Sequence, residues 1–494
     1  MNTATHRLRV LSASLACVAL IAACGGGGGS NGTAEGGAQT PLASTPPPAQ
    51  TPPSGPASNI ETQPLPQSPA VTVPSDALLA LAKTAAASAP TTVAAIPKRA
   101  GPVSTLLASG ATPAWSYQRY WISGDGRNGA GSAAADNPRL DTVAFIYNFA
   151  NWVKRPAGIT NNFNDASKAD YWIPGGALGG SQAYIGLRTN SRYIAMPSSF
   201  GRMSLIVDGQ IVVPGVDYTA NNQYAVWDFG TNMERSLVFV GSTGASISEV
   251  VIENEASIAP YDFTASLPPT ISFTGDSYLG HGAFKDTGMS FVDMQARLLG
   301  AIATTATHIG GTGYRADNGG DPATRADSPQ RMARFTEAKP TIMILELGIN
   351  DPWPGSGPTT MESMKTVLQG ARAANPESVL VAVGPWAPSQ INGTNPSGTY
   401  IARMNAISEI VEALPGPWVV LDNLRGNWRT SKGTSRSSLR GPWQTGEGKA
   451  GAPTGVGNGD TWLNADGVHP TTPVGITGLA EVLTGELRAA LASM

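Results

Sequence analysis

From Leu267 to the C-terminus, strand-length apolar runs alternate with segments whose apolar residues recur at helical spacing, and this alternation narrows the possible folds most. Strands are expected at Ile271 to Thr274, Ala301 to Ile309, Thr341 to Leu347, Val379 to Val383 and Trp418 to Leu421. Helices are expected at Met289 to Leu299, Thr359 to Ala374, Tyr400 to Leu414 and Val474 to Leu491. Alternation of this kind folds as an α/β protein with a doubly wound parallel sheet, because every parallel pair needs a crossover that returns over the sheet. Ile342-Met343-Ile344-Leu345 has no polar alternate, as a strand buried on both faces requires. Open sheets of this class place ligands outside the carboxyl ends of their strands, so chemistry is sought in the residues after each strand. The long, Gly-rich stretch Arg425 to Asp460 reads as a loop beside such a site.

A chain of 494 residues has room for more than this one domain. Residues 111–260 change texture to short β-rich runs, among them Thr142 to Tyr147, Ala183 to Leu187, Met203 to Val207, Gln210 to Val213, Tyr224 to Phe229, Ser236 to Val240 and Ser246 to Ile252. Asp208-Gly209 supplies a hairpin signal between two of them. Many short strands at such spacing imply an all-β sandwich of jelly-roll type. Trp115, Tyr117, Tyr120 and Trp121 either bind a ligand there or fill the core. Residues 25–110 are Gly-rich and then Pro/Thr/Ser/Ala-rich, which reads as a disordered tether, with Asp76 to Ser88 as one helix-forming interruption. Gly28 to Gly32 fits G-x-S-x-G, but no strand and helix flank it, so it is low complexity.

The first 24 residues carry Arg7 and Arg9 ahead of an apolar run, Leu11 to Ala23, too short for an ordinary transmembrane span. They read as a signal segment. Its end, Leu20-Ile21-Ala22-Ala23-Cys24, resembles the bacterial lipobox, which implies lipidation of Cys24. With Gly25 next, it implies delivery to an outer membrane if the cell has one. Cys17 lies inside the signal, so the mature chain has no pair for a disulfide. The expected location is extracytoplasmic and lipid-anchored. A net charge of −3 and the absence of a Lys/Arg run give no electrostatic case for nucleic acid.

Four stretches fall at strand ends or in the loops after them: Gly275-Asp276-Ser277, His308-Ile309-Gly310-Gly311-Thr312-Gly313-Tyr314, Glu346-Leu347-Gly348-Ile349-Asn350-Asp351 and Asp466-Gly467-Val468-His469-Pro470. Acyl transfer needs a nucleophile, a base, a group that orients the base, and donors for the oxyanion. Ser277, where a strand passes into a Gly-flanked loop, is the candidate nucleophile. Three of the four histidines lie outside the signal, and all three are candidate bases: His281, His308 and His469. His469 is favoured because Asp466, three residues earlier, can present a carboxylate to one ring nitrogen in a tight loop while the other faces the serine.

In order and spacing these stretches resemble the four sequence blocks of the SGNH (GDSL-like) hydrolase family, over roughly Leu267 to Met494. The resemblance implies a flavodoxin-like sheet in residues 261–494 and a triad of Ser277, His469 and Asp466. It also implies an oxyanion hole built from the backbone N–H of Ser277, that of Gly311 and the side-chain amide of Asn350. Gly310 and Gly313 are the alternatives to Gly311, since the second block lacks the family's preceding asparagine. Asn350-Asp351 also reads as an Asx turn before Pro352, and Asp276 as a brace for the nucleophile loop.

No H-E-x-x-H, cysteine ligand set or calcium loop occurs, and Gly311-Thr312-Gly313 lacks the Lys-Ser/Thr ending of a phosphate loop, so neither metal nor cofactor is expected. A β-sandwich followed by an SGNH domain resembles the layout of carbohydrate esterases that deacetylate plant polysaccharides, which implies an O-acetylated glycan as substrate. Trp353, Trp386 and Trp462, near the catalytic blocks, offer flat rings to sugars or pack in the core. Lipase, arylesterase, peptidoglycan O-acetylesterase and a non-catalytic surface glycan-binding lipoprotein are the other readings.

Overall fold

A computed structural model describes residues 75–121, 146–148, 152–155, 171–174, 183–198, 201–220, 223–241, 249–260, 269–318, 320–337, 339–353, 360–386, 398–437, 445–446 and 448–494. The signal segment, Cys24, the tether up to residue 74 and most of the expected strand Thr142 to Tyr147 lie outside the described residues.

Within 269–494 the strands are β1 (Thr270–Gly275), β2 (Ile302–His308), β3 (Ile342–Glu346), β4 (Val379–Val383), β5 (Trp418–Asp422), β6 (Asn427–Thr430) and β7 (Ser435–Ser437). They lie in the order β2-β1-β3-β4-β5-β6-β7. The first five are parallel, and β6 and β7 continue the sheet antiparallel. The sheet is therefore mixed, and residues 427–437 of the expected loop are a hairpin on its edge. Asn427 pairs with Asp422 directly after a tight turn, so the chain doubles back without a crossover helix.

Alternate residues of each strand face opposite layers. Ile342 and Ile344 pack with α2 (Phe291–Leu298) and α6 (Val474–Ser493). Met343 and Leu345 pack with α3 (Pro329–Glu337), α4 (Thr360–Ala374) and α5 (Gly398–Glu412). The helix α3 has no counterpart among the sequence expectations. Register sets Gly275, His308 and Glu346 side by side at the carboxyl edge, so the first three motifs leave the sheet together.

Upstream, two largely antiparallel sheets face each other. One runs through residues 98–100, 210–213, 201–207, 235–241, 183–189 and 258–260, and the other through 103–106, 223–228, 193–198, 249–253 and 117–121. Leu205, Val207, Leu237 and Phe239 of the first meet Ile194, Met196, Trp227 and Ile252 of the second in one apolar core. Val207 and Gln210 pair across a two-residue turn, with Asp208 and Gly209 both at positive φ (50° and 80°) as a type I′ hairpin demands. The opposite face of the first sheet is apolar too. Ile206, Ile211, Val238 and Val240 join the core of the α/β layer beside α2, so the sandwich and the α/β layer share packing.

The described part of the supposed tether is ordered. Helix α1 (Ser75–Ser88) buries Leu79, Ala82 and Ala86 in the α/β core, and Lys98–Ala100 and Val103–Leu106 add a strand to each sheet of the sandwich. Ala-rich composition favours the helix, and the i, i+3, i+7 stripe gives it an apolar face. Its partners lie far along the chain: Val93 N–H donates to Glu481 Oε1 (2.8 Å), and Arg488 Nη1 donates to the carbonyl of Ala89 (2.9 Å). Gly300, at φ 68° just past α2, lets α1 approach; a Cβ there would lie 2.4 Å from the carbonyl oxygen of Ala85.

Ala82→Asp places a carboxylate in this contact and is expected to destabilise the protein by about 3 kcal/mol or more, lowering Tm by several degrees. Leu81→Asp, on the exposed side of the same helix, should leave Tm nearly unchanged. Thermal denaturation checks both. Equal melting of the two variants and the wild type would show that α1 is not part of the core.

Candidate active site

Strand β1 ends at Gly275, and Asp276 then caps a short 3₁₀ turn, Ser277–Gly280, its Oδ1 accepting the N–H of Tyr278 at 3.1 Å. Asp276 is fully buried, and Oδ2 has no hydrogen-bond partner among the described residues. Burial raises its pKa to about 7; the Tyr278 N–H opposes the rise and the charge of Asp351 adds to it. It braces the turn from beneath, as expected.

Ser277 Oγ lies 2.9 Å from His469 Nε2, and His469 Nδ1 lies 2.8 Å from Asp466 Oδ2. The other oxygen, Asp466 Oδ1, accepts the N–H of Val468 (2.8 Å) and of His469 (3.0 Å), which folds the loop so that the carboxylate meets the ring. Partial burial pushes the Asp466 carboxyl up, but the Val468 N–H, the His469 ring and the His469 N–H outweigh it and hold the pKa below the ordinary carboxylate value. Tyr278 ties the two loops together. Its hydroxyl donates to the carbonyl of Val468, one residue before His469, while its ring stacks on Trp386 with centroids 5.4 Å apart.

Beside Ser277, Thr312 N–H returns to the carbonyl of Ile309 (3.3 Å), closing a turn in which Gly311 has φ 74°, the conformation glycine supplies most readily. A Cβ on Gly310 would lie 3.7 Å from Ser277 Cβ, so this turn abuts the serine. Asn350 donates one N–H of its side-chain amide to the carbonyl of Thr312 (2.9 Å), so the second and third blocks touch. Asp351 does not simply make an Asx turn before Pro352. Its carboxylate accepts the N–H groups of Tyr314 (2.9 Å), the last residue of the second block, and of Arg315 (2.7 Å) and Ala316 (2.9 Å) just after it. Gly313 gives it room, since a Cβ there would sit 2.5 Å from the carboxylate. From α5, Arg403 donates to the carbonyls of Gly348 (2.8 Å) and Ile349 (3.0 Å) and so holds the segment before Asn350.

The other two histidines stand nearby without the relation to Ser277 that His469 has. The ring of His281 lies 5.0 Å from that of His469, and burial, then the neighbouring His469, lowers its pKa to about 4. His308, fully buried at the end of β2, is lowered to about 3, chiefly by burial. Both are poor proton acceptors near neutrality. Trp386 is 1% exposed beneath Tyr278, which removes it as a platform for sugar. Trp462 packs on Gly478 of α6 and Trp353 against the α4–α5 side. Tyr120 fills the sandwich core, whereas Trp115 and Tyr117 lie on the far face of that sheet, Trp115 stacked on Tyr193 at 4.9 Å. Nothing is described of the Trp121 side chain. Among the described residues no three His, Cys, Asp or Glu side chains converge as a metal ion requires.

The arrangement can pass a proton from a hydroxyl to an imidazole whose far nitrogen faces a carboxylate, beside a turn rich in backbone N–H groups. Tyr278 and Arg403, which hold these loops, are not singled out by the sequence; an aromatic or a basic residue does not announce which carbonyl it will meet.

No family model matches the chain, and no curated protein matches it. Among solved structures it is similar to the salicylyl-acyltransferase SsfX3 from a tetracycline biosynthetic pathway (17% identity, 62% of this chain and 82% of that one, TM-score 0.44). It is also similar to a family two carbohydrate esterase from Cellvibrio japonicus (12% identity, 70% and 97%, TM-score 0.43). A third is a family two carbohydrate esterase from Clostridium thermocellum in complex with cellohexaose (18% identity, 64% and 94%, TM-score 0.41).

A pH test follows from the charge buried under the site. Glu346, fully buried at the end of β3, has a pKa raised to about 8, by burial first, with Asp276 adding to the rise. Hydrogen bonding from the Gln295 and Trp386 side chains opposes the rise without cancelling it. The native state keeps this proton up to about pH 8, whereas the unfolded chain releases it near 4.5, so wild-type stability falls as pH rises through that window. Glu346→Gln, neutral throughout, should gain Tm relative to wild type progressively from pH 5 to 8. A gap between the two melting curves that stays constant or narrows over that range would contradict the buried, protonated carboxyl.

Proposed function

We propose that the chain is an extracytoplasmic serine esterase that hydrolyses O-acyl esters, with Ser277 as nucleophile, His469 as base and Asp466 as the group that orients it. The line from Ser277 Oγ to His469 Nε2 (2.9 Å) and from Nδ1 to Asp466 (2.8 Å) carries this reading. His469 takes the hydroxyl proton as Ser277 Oγ adds to the ester carbonyl, and the carbonyl electrons move onto oxygen. Three donors are assigned to that oxyanion: the backbone N–H of Ser277, that of Gly311, and an N–H of the Asn350 side chain. Collapse of the adduct expels the alcohol, which leaves with the proton from His469. Water then attacks the acyl-enzyme by the same route and releases the acid.

The acyl group is proposed to be acetyl and the alcohol a polysaccharide hydroxyl, on the strength of the domain order: a sandwich of jelly-roll type ahead of an SGNH-like domain. Lipidation of Cys24 and an outer-membrane location are proposed from the N-terminal segment. Among the described residues no helix is long and apolar enough to cross a membrane.

Ser277→Ala and His469→Ala should each lower kcat by roughly 10³-fold or more on p-nitrophenyl acetate and acetylated xylan, and the double variant should lose little beyond either, because the two act as a unit. Asp466 is nearly half exposed (48%), so its charge is partly screened and Asp466→Asn should be the milder change. Near-normal turnover by Ser277→Ala would end the serine-esterase reading, and strong turnover of long-chain esters would move the substrate to lipid. Cys24→Ser should shift the protein out of the membrane fraction; a wild-type chain that incorporates no radiolabelled fatty acid would remove the anchor.

A further inference from the structure

We infer that Arg331 is a positioning residue for the oxyanion hole, locking the nucleophile strand and the Gly310–Gly311 turn in one register; the inference rests on the esterase reading above. Ser328 starts α3, with Pro329 as the first helical residue and the Ser328 hydroxyl accepting the N–H of Arg331 at 3.3 Å. The cap directs Arg331, in the first turn, under the carboxyl edge of the sheet. Its side chain is 2% exposed and donates four hydrogen bonds. Nη1 reaches Thr312 Oγ1 (2.9 Å) and the carbonyl of Thr324 (3.0 Å), and Nη2 reaches the carbonyls of Gly275 (2.8 Å) and Thr307 (3.1 Å).

These acceptors mark the segments that carry the proposed donors. Gly275 stands directly before Asp276 and Ser277. Thr307 is the next-to-last residue of β2, which leads into Ile309, and Thr312 closes the turn around Gly311 while its carbonyl receives the Asn350 amide. One rigid guanidinium therefore fixes the end of β1, the end of β2 and the turn that follows β2. All four acceptors are uncharged, and the carboxyl of Asp276 is the nearby charge that favours the buried cation. Burial lowers its pKa to about 10, still far above neutrality, and the group remains charged. A planar fork can bind several carbonyls at fixed angles, which the point charge of a lysine cannot. The precision matters because oxyanion donors act only when held in place before the reaction, and a misplacement of about 1 Å costs roughly 100-fold.

Two variants test this. Arg331→Lys keeps the charge and loses the fork; Thr312→Val removes the hydroxyl that joins Arg331 to the turn, together with that hydroxyl's own bond to the carbonyl of Ile309 (2.8 Å), and leaves the other three bonds of Arg331. On p-nitrophenyl acetate, kcat per folded molecule should fall about 10- to 100-fold in Arg331→Lys and about 10-fold in Thr312→Val, with KM within about threefold in both. Affinity for methaneboronic acid, which bonds to Ser277 Oγ as a tetrahedral anion while the hydroxyl proton passes to His469, should fall by the same factor as kcat/KM. A residue that only stabilised the fold would lower Tm and leave both ratios alone. Folded variants with wild-type kcat, or a kcat loss that boronate affinity does not follow, overturn the proposal while the esterase reading stands. A wild-type chain without turnover overturns both. If Arg331→Lys does not fold, Thr312→Val decides by the same two ratios.

Discussion

The hydrogen bond from the Tyr278 hydroxyl to the carbonyl of Val468 joins the turn that carries Ser277 to the loop that carries His469. These two side chains are 192 residues apart in sequence, yet a proton can pass between them only over the 2.9 Å that separates them. The sheet fixes Ser277, because β1 is an interior strand, paired on both sides. Helix α6 follows the loop at its other end, and the ring of Tyr278, stacked on the buried Trp386, is held in place to meet the loop. Asp466 then turns the imidazole with one oxygen while its other oxygen shapes the loop.

Beneath this surface the site stands on buried polar groups. Arg331 and Arg403 spread their donors over backbone carbonyls, and Asp351 gathers three backbone N–H groups. Such groups are costly to bury singly and become useful where one side chain satisfies several loop atoms, since loops lack the ladder that supports strands. Asp276 and Glu346 sit in the same layer with raised pKa values, about 7 and about 8, because burial disfavours their charged forms. The site therefore carries a charge state set by its interior more than by solvent.

The sequence made the strand–helix alternation and the four strand-end blocks legible, because periodicity and short-range spacing are local properties. Asp466 and His469 were readable as a pair, three residues apart in one loop. Long-range partners were not readable. Helix α1 looked like an interruption in a tether because its apolar face meets α6, and the Val93–Glu481 bond that secures the segment spans 388 positions. The β6–β7 hairpin hid in a Gly-rich stretch, since its strands are short and its edge position tolerates polar residues. Trp386, near a catalytic block in sequence, is buried under Tyr278, a direction that no local pattern fixes. Arg331 reads as one more basic residue of a polar stretch until the fold brings four acceptors to it.

The central claim is that Ser277 is a nucleophile activated by His469. Its most direct measurement is covalent: the purified protein is treated with a fluorophosphonate and the adduct is located by peptide mass spectrometry. The account predicts a single phosphonyl group per chain, attached to Ser277 with loss of fluoride. An unmodified chain, or an adduct on any other serine, would contradict it.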